Sequence, residues 1–163
     1  MARITANEAG GQNVIAFLDM LAVSEGTAGH GDDGYNVNVG GQLFNGYADH
    51  PRIAVRTRFG WSDAAGRYQI MAAIPGRIRT DTWDWASKAV HATDFSPLSQ
   101  DRVAIYLVAR ARAIESIKAG DLAGAVAKCA PVWASLPGSP YGQNTHAFSH
   151  IQAAYQAAGG TVA

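Results

Sequence analysis

The thirteen residues from Asn13 to Glu25, "NVIAFLDMLAVSE", constrain the fold more than any other stretch. They contain neither glycine nor proline, and Gly26 ends them. On a helical wheel Val14, Phe17, Leu18, Leu21 and Glu25 share one face at spacings of three and four, while Asp19 points to the other side. The spacing predicts a helix over this range, with Asn13 suited to its N-cap and an apolar stripe that must be buried. From Gly26 to about Gln69 the texture changes. Glycine and asparagine are dense, "YNVNV" alternates as a strand does, and Gly40-Gly41 and Asn45-Gly46 are turn signals. This predicts a small, irregular β region with long loops. The chain then becomes helical again in "SPLSQDRVAIYLVARARAIESIKAG", "DLAGAVAKCA" and "NTHAFSHIQAAYQAAGG", the last starting at a good cap, Asn144, and ending at Gly159-Gly160. Helix, small β lobe, helical lobe is an α+β order, with a cleft expected between the lobes. Residues 1–11 read as a loose lead-in and residues 12–163 as one domain, without internal repeats.

Charge and composition exclude several classes of function. The 163 residues are 48% hydrophobic and 16% charged, enough apolar material for a core. Lysine plus arginine and aspartate plus glutamate both number 13, so a nucleic-acid partner, which needs a surplus of cations, is disfavoured. Locally the balance is uneven: Arg52, Arg56, Arg58, Arg67, Arg77 and Arg79 face only Asp63. This is either a footprint for an anionic polymer or a set of solvated loop arginines. The single cysteine, Cys129, rules out an internal disulfide and cysteine-based zinc clusters, and "AVAKCAPVWA" suits a small buried residue. The N-terminus has no apolar segment of signal-peptide type, and "VIAFLDMLAV" is too short to span a membrane and is broken by Asp19. The expectation is a chain that accumulates in the cytoplasm without inserting into the membrane.

Glu25 has two readings. It is either a surface glutamate on a frayed last turn or a carboxyl placed in an apolar, half-buried site. Its position faces the negative end of the helix dipole, and the apolar stripe adds desolvation; both oppose ionisation. A raised pKa would leave a protonated fraction near neutral pH, as a general acid needs.

The segments "AFLDMLAVSEGT", "GYNVNVGGQLFNGYADHP", "AGRYQI", "DFSPLSQD", "WASLPGSPYGQ" and the terminal "AAGGTV" together resemble the phage lambda-type endolysins, in the family's order and at similar intervals. The resemblance covers nearly the whole chain. It implies a lysozyme-like fold and a lytic transglycosylase that cleaves the MurNAc–GlcNAc β-1,4 bond of peptidoglycan, and it places the family's catalytic glutamate at Glu25. It also implies a phage or prophage origin, glycan strands as the partner, a holin-type factor for release to the wall, a monomer, and no cofactor. The family's lambda member has an aspartate where this chain has Asn36, which cannot act as a base. Hydrolysing glycosidases usually need two carboxylates; Asp32, Asp33 and Asp49 are nearby in sequence but in turn-like contexts. Asn36 therefore fits a single-carboxylate mechanism.

Polysaccharide sites combine flat apolar surfaces with donors and acceptors. "GRYQI" and "PGSPYGQ", which by resemblance flank the catalytic cleft, offer Gln69 and Tyr141 first as sugar contacts, followed by Ser24, Tyr35, Asn38, Tyr68 and Gln143. For each a structural role competes, and Tyr68 in particular suits a core position carrying a hydrogen bond. Trp133 reads as core, and Trp61, in "FGWSDAAG", as part of a loop lip. His146 and His150, four apart, lack the third ligand of a metal site. Two other functions fit the same residues: a hydrolytic muramidase using a second carboxylate, and a non-catalytic wall-binding module.

Overall fold

The structure, a computed structural model, describes residues 2–142 and 145–163. Among them the chain forms seven α-helices and one two-stranded antiparallel sheet. The helices are α1 (Ala6–Ala9), α2 (Gln12–Ser24), α3 (Thr82–Ala89), α4 (Pro97–Arg110), α5 (Ile114–Lys118), α6 (Leu122–Cys129) and α7 (Phe148–Ala157). The strands are β1 (Val55–Thr57) and β2 (Gly60–Ser62). The chain divides into two compact units, one made of the residues up to Arg3 with Thr27–Val103, the other of Ile4–Gly26 with Ala104–Ala163.

The second unit is built on α2, which packs against α1, α5 and α7. Val14, Ala16, Phe17, Leu18, Met20, Leu21 and Ala22 are all buried, so burial extends round more of the helix than the expected stripe. A helix that is apolar on most sides belongs inside a bundle rather than on its surface. Its N-terminus differs from the sequence reading. Gly11 occupies the cap and Asn13 lies one residue into the helix. There the Asn13 amide donates to the carbonyl of Ile117 at 3.1 Å and accepts from the Thr161 N–H at 3.0 Å. Long-range partners thus take the side chain that local statistics assign to a cap.

Within the stretch ahead of α2 the chain forms a short capped helix. Thr5 and Glu8 form a reciprocal capping box around α1, and Ile4 and Ala9 are buried. The long helical run after Ser96 is divided, because Arg112 adopts a left-handed backbone (φ 60°) between α4 and α5. The last helix begins at Phe148 rather than at Asn144, a position outside the described residues.

In the first unit "YNVNV" is not a regular strand. Val37 and Asn38 each make an isolated bridge, to Leu43 and Ala65 respectively. The sheet forms instead in "VRTRFGWS", where Val55, Arg56 and Thr57 face Ser62, Trp61 and Gly60. The unit's core is an aromatic cluster: Phe95 lies 4.6 Å from Trp83, 4.9 Å from His50 and 5.8 Å from Phe44, ring centre to ring centre. His50 is neutral within it. Burial drives its pKa down to about 4, Nδ1 accepts from the Arg52 N–H, and Nε2 meets the Ile70 carbonyl at 2.9 Å. Gly66, in "AGRYQI", has φ 77°, and a Cβ there would meet the Gln100 side chain at 2.2 Å, so only glycine fits. Gln100 uses the space to accept from the Arg67 N–H and to donate to the carbonyls of Tyr35 and Phe95.

Candidate active site

Glu25 is the C-cap of α2, its N–H bonded to the Leu21 carbonyl at 2.8 Å. Its side chain remains partly exposed, yet protein surrounds the carboxyl closely. Desolvation pushes its pKa from the ordinary 4.5 up to about 7, opposed only in part by a hydrogen bond from Ser135. Of the two causes the sequence offers, burial carries the shift.

Ser135 is the residue that sequence reasoning missed. Its hydroxyl donates to Glu25 Oε1 at 2.7 Å, and Ser24 Oγ lies 2.8 Å from Ser135 Oγ. With the Ser135 proton directed at the carboxylate, Ser24 is the donor to Ser135. The backbone carbonyl of Ser24 in turn meets His146 Nε2 at 3.2 Å, an arrangement that requires a proton on that nitrogen. The ring of His146 stacks on that of His150, 4.9 Å away. Among the described residues no group of three or more His, Cys, Asp or Glu side chains could hold a metal ion. Elsewhere in this unit Glu8 caps α1, Asp121 caps α6, and Glu115 pairs with Lys118 across one turn.

The sequence-expected sugar contacts fall into different groups. Ser24, Tyr35, Asn38 and Tyr68 are buried. Tyr35 and Tyr68 donate their hydroxyls to the same oxygen of Asp101, at 2.9 and 2.5 Å, so both are core residues of the first unit in this state. Asn38 donates to the Ile53 carbonyl at 3.4 Å. Gln69 is partly exposed, with a left-handed backbone (φ 47°) and its amide donating to the carbonyls of Val37 and Gly66. Tyr141 is well exposed, its hydroxyl donating to the Pro131 carbonyl at 2.7 Å. Gln143 lies outside the described residues. Trp133 is buried, as expected, while Trp61 sits on β2 rather than in a loop. Cys129 is buried, and its thiol is pushed up to about 12, which makes it a poor nucleophile.

The loop acids each have a partner. Asp33 pairs with Arg67, which holds its carboxyl below the usual range together with the Gly29 N–H. Asp32 accepts from the Tyr47 hydroxyl at 2.8 Å, and Asp49 accepts from the His50 N–H at 2.7 Å. Asn36 closes its own loop, accepting from the Asp32 N–H at 2.8 Å and donating to the Phe44 carbonyl.

With helices dominant and a small antiparallel sheet between them in sequence, the architecture is α+β, and solved structures show which kind. Lysozyme from bacteriophage lambda, in a complex with a chitohexasaccharide, matches with a TM-score of 0.84 and 40% identity over 100% of both chains. A second structure of lysozyme from bacteriophage lambda matches with a TM-score of 0.79 and 39% identity, again over 100% of both chains. The fold is lysozyme-like. The endolysin of Escherichia phage P2 is 41% identical over 166 residues, 93% of this chain and 96% of that protein. The endolysin of Escherichia phage lambda is 42% identical over 153 residues, 90% of this chain and 91% of that protein. A family model described as Endolysin matches residues 15–162, and the chain belongs to the endolysin family. It is accordingly an enzyme of peptidoglycan lysis.

Proposed function

We propose that this endolysin is a lytic transglycosylase in which Glu25 acts first as acid and then as base. The observation that carries the reading is a carboxyl with a pKa of about 7, held by a single hydroxyl donor among the described residues. Near neutral pH such a group is present in both protonation states, which suits an acid that must also serve as a base. Protonated Glu25 gives its proton to the glycosidic oxygen as C1 of MurNAc becomes oxocarbenium-like. The resulting carboxylate takes the proton from the C6 hydroxyl of the same sugar as that oxygen attacks C1. The GlcNAc leaves with the first proton, and the MurNAc end closes as a 1,6-anhydro ring. The nucleophile is tethered to the reacting sugar, so no second carboxylate is needed to activate water. The partnered states of Asp32, Asp33, Asn36 and Asp49 support that economy.

Gln69 and Tyr141 are the sugar contacts this reading favours, being the accessible members of the expected set among the described residues. The chitohexasaccharide bound by the lambda lysozyme supports a glycan strand as the ligand. In the same reading the enzyme is a monomer that waits in the host cytoplasm until a holin-type factor lets it reach the wall. Among the described residues no helix is long and apolar enough to cross a membrane. Mass spectrometry of muropeptides released by wild type and by Glu25→Gln tests the chemistry. Wild type should yield anhydro ends, one water lighter than hydrated ends, and the variant should yield none. Exclusively hydrated, reducing MurNAc ends from the wild type would overturn the transglycosylase reading in favour of a muramidase.

A further inference from the structure

Five of the six arginines of residues 52–79 divide by what their guanidinium groups face. Arg52 pairs with Asp84 at 2.7 Å, and Arg67 pairs with Asp33 at 2.7 Å. Arg56, Arg58 and Arg77 are exposed and lie on aromatic rings instead. Arg56 and Arg77 both meet Trp61, their Cζ atoms 5.6 and 4.6 Å from its ring centre, and Arg58 covers Phe59 at 4.6 Å. Asp63, the only acid in this stretch of sequence, is fully buried and cannot neutralise them from the surface.

The backbone holds this group in place. Arg56 and Trp61 are directly opposite each other in the hairpin, so their side chains share a face. The two-residue turn between the strands is closed by Thr57, whose hydroxyl donates to the Gly60 carbonyl and accepts from the Phe59 N–H. Arg77 follows Pro75-Gly76, where Gly76 has φ 74° and the Arg77 N–H bonds to the Ile74 carbonyl at 3.0 Å. That is the signature of a tight type II turn. A guanidinium held over an aromatic face keeps its charge and its planar fork of N–H donors available to a carboxylate. Phe59 and Trp61 remain exposed beside these cations, as apolar surface for whatever carries the anion.

We propose that Arg56, Arg58 and Arg77, ordered on Trp61 and Phe59, form a site for the carboxylates of the peptide stems that hang from the glycan strand. This rests on the reading of the chain as a peptidoglycan glycan-cleaving enzyme. The alternating amino sugars of that strand carry no charge once the lactyl group is in amide linkage to peptide. The anions that accompany the scissile bond on the same polymer are therefore peptide carboxylates. The hairpin recognises substituted wall, and bare glycan makes no use of it.

The test measures binding, so that it does not depend on which bond is cut or how. Glu25→Gln protein is sedimented with intact wall sacculi and with glycan strands stripped of peptide by an amidase, their freed lactyl carboxyls then converted to uncharged amides. It is compared with Glu25→Gln carrying Arg56→Gln and Arg77→Gln. The two arginine substitutions should weaken binding to intact sacculi by about tenfold, the combined worth of two exposed charge contacts, and leave binding to stripped strands within twofold. The effect should shrink as salt is raised. Arg56→Lys with Arg77→Lys should recover only part of the loss, because an ammonium keeps the charge without the flat stack. Equal loss on both substrates, no loss on either, or full recovery with lysine would overturn the proposal. So would a loss that persists on peptide-free walls bearing phosphate polymers, which would assign the site to phosphate. None of these outcomes bears on the anhydro products that test the reaction itself.

Discussion

Glu25 in one unit and Asp101 in the other are both carboxyls closely surrounded by protein, and they have opposite uses. Asp101 is fully buried and receives two tyrosine hydroxyls on one oxygen, with Arg3 3.9 Å from the other. Glu25 has one serine hydroxyl among the described residues, and desolvation prevails over it. The two carboxyls differ in the number of hydroxyls that meet them. Several donors turn a buried carboxylate into an anchor for the chains around it, whereas a single donor leaves it able to gain and lose a proton near neutrality.

The comparison can be broken from either side. The largest effect expected is on turnover. Glu25→Gln should lower wall clearing by about 10³-fold or more, as loss of a general acid does, with the fold retained by circular dichroism. Asp101→Ala should act on stability instead, costing about 3–5 kcal/mol in urea unfolding, because two buried hydroxyls lose their acceptor and Arg3 an opposite charge 3.9 Å away. A third expectation concerns pH. The folded pKa of Glu25, about 7, exceeds its ordinary value of 4.5, so the folded state holds this proton more tightly than the unfolded chain. The stability this contributes is complete below pH 4.5 and is lost as pH rises through about 7. Between pH 4 and pH 8.5, wild type should lose on the order of 3 kcal/mol relative to Glu25→Gln. Taking the difference between the two proteins cancels the titration of Asp63, which burial pushes up to about 6. Activity should decline over the same alkaline range.

Smaller effects sharpen the contrast. Ser135→Ala removes the donor that favours ionisation, so the alkaline limb of the activity profile should move up by about one pH unit, the worth of a hydrogen bond to a charged group. An unmoved limb would show that Ser135 only fills space. Tyr68→Phe takes one of two hydroxyls from Asp101 and should cost about 1 kcal/mol with KM unchanged. A several-fold rise in KM without a change in melting would return Tyr68 to the substrate.

What was legible in the sequence follows the range of each interaction. The α2 stripe and its terminal glutamate are local and periodic, and both the helix and the raised pKa of Glu25 are found. The lysozyme-like class was legible from short segments kept in order along the chain. Ser135 was not, since it stands 110 positions from Glu25 in a Gly/Pro-rich stretch with no pattern pointing back. The shared acceptor of Tyr35 and Tyr68 was hidden for the same reason, both hydroxyls meeting Asp101 from positions distant in sequence. Helix α3 was not read from the sequence, although Trp83, Ala86 and Ser87 form its buried face. The break before α5 depends on one left-handed arginine, a conformation that composition does not announce.

The unit that holds Glu25 is assembled from the two ends of the sequence, Ile4–Gly26 with Ala104–Ala163. Asn13, at the start of the helix that ends in Glu25, is tied to Thr161, and Gly120 is tied to Ala163. On a ribosome the second of these segments follows the first only after residues 27–103 have been made. While the middle of the chain is being made, Glu25 is an ordinary, ionised glutamate with neither Ser135 nor the α5–α7 packing around it. Its altered acidity is thus acquired late in synthesis, and a stalled or shortened product carries Glu25 without its raised pKa.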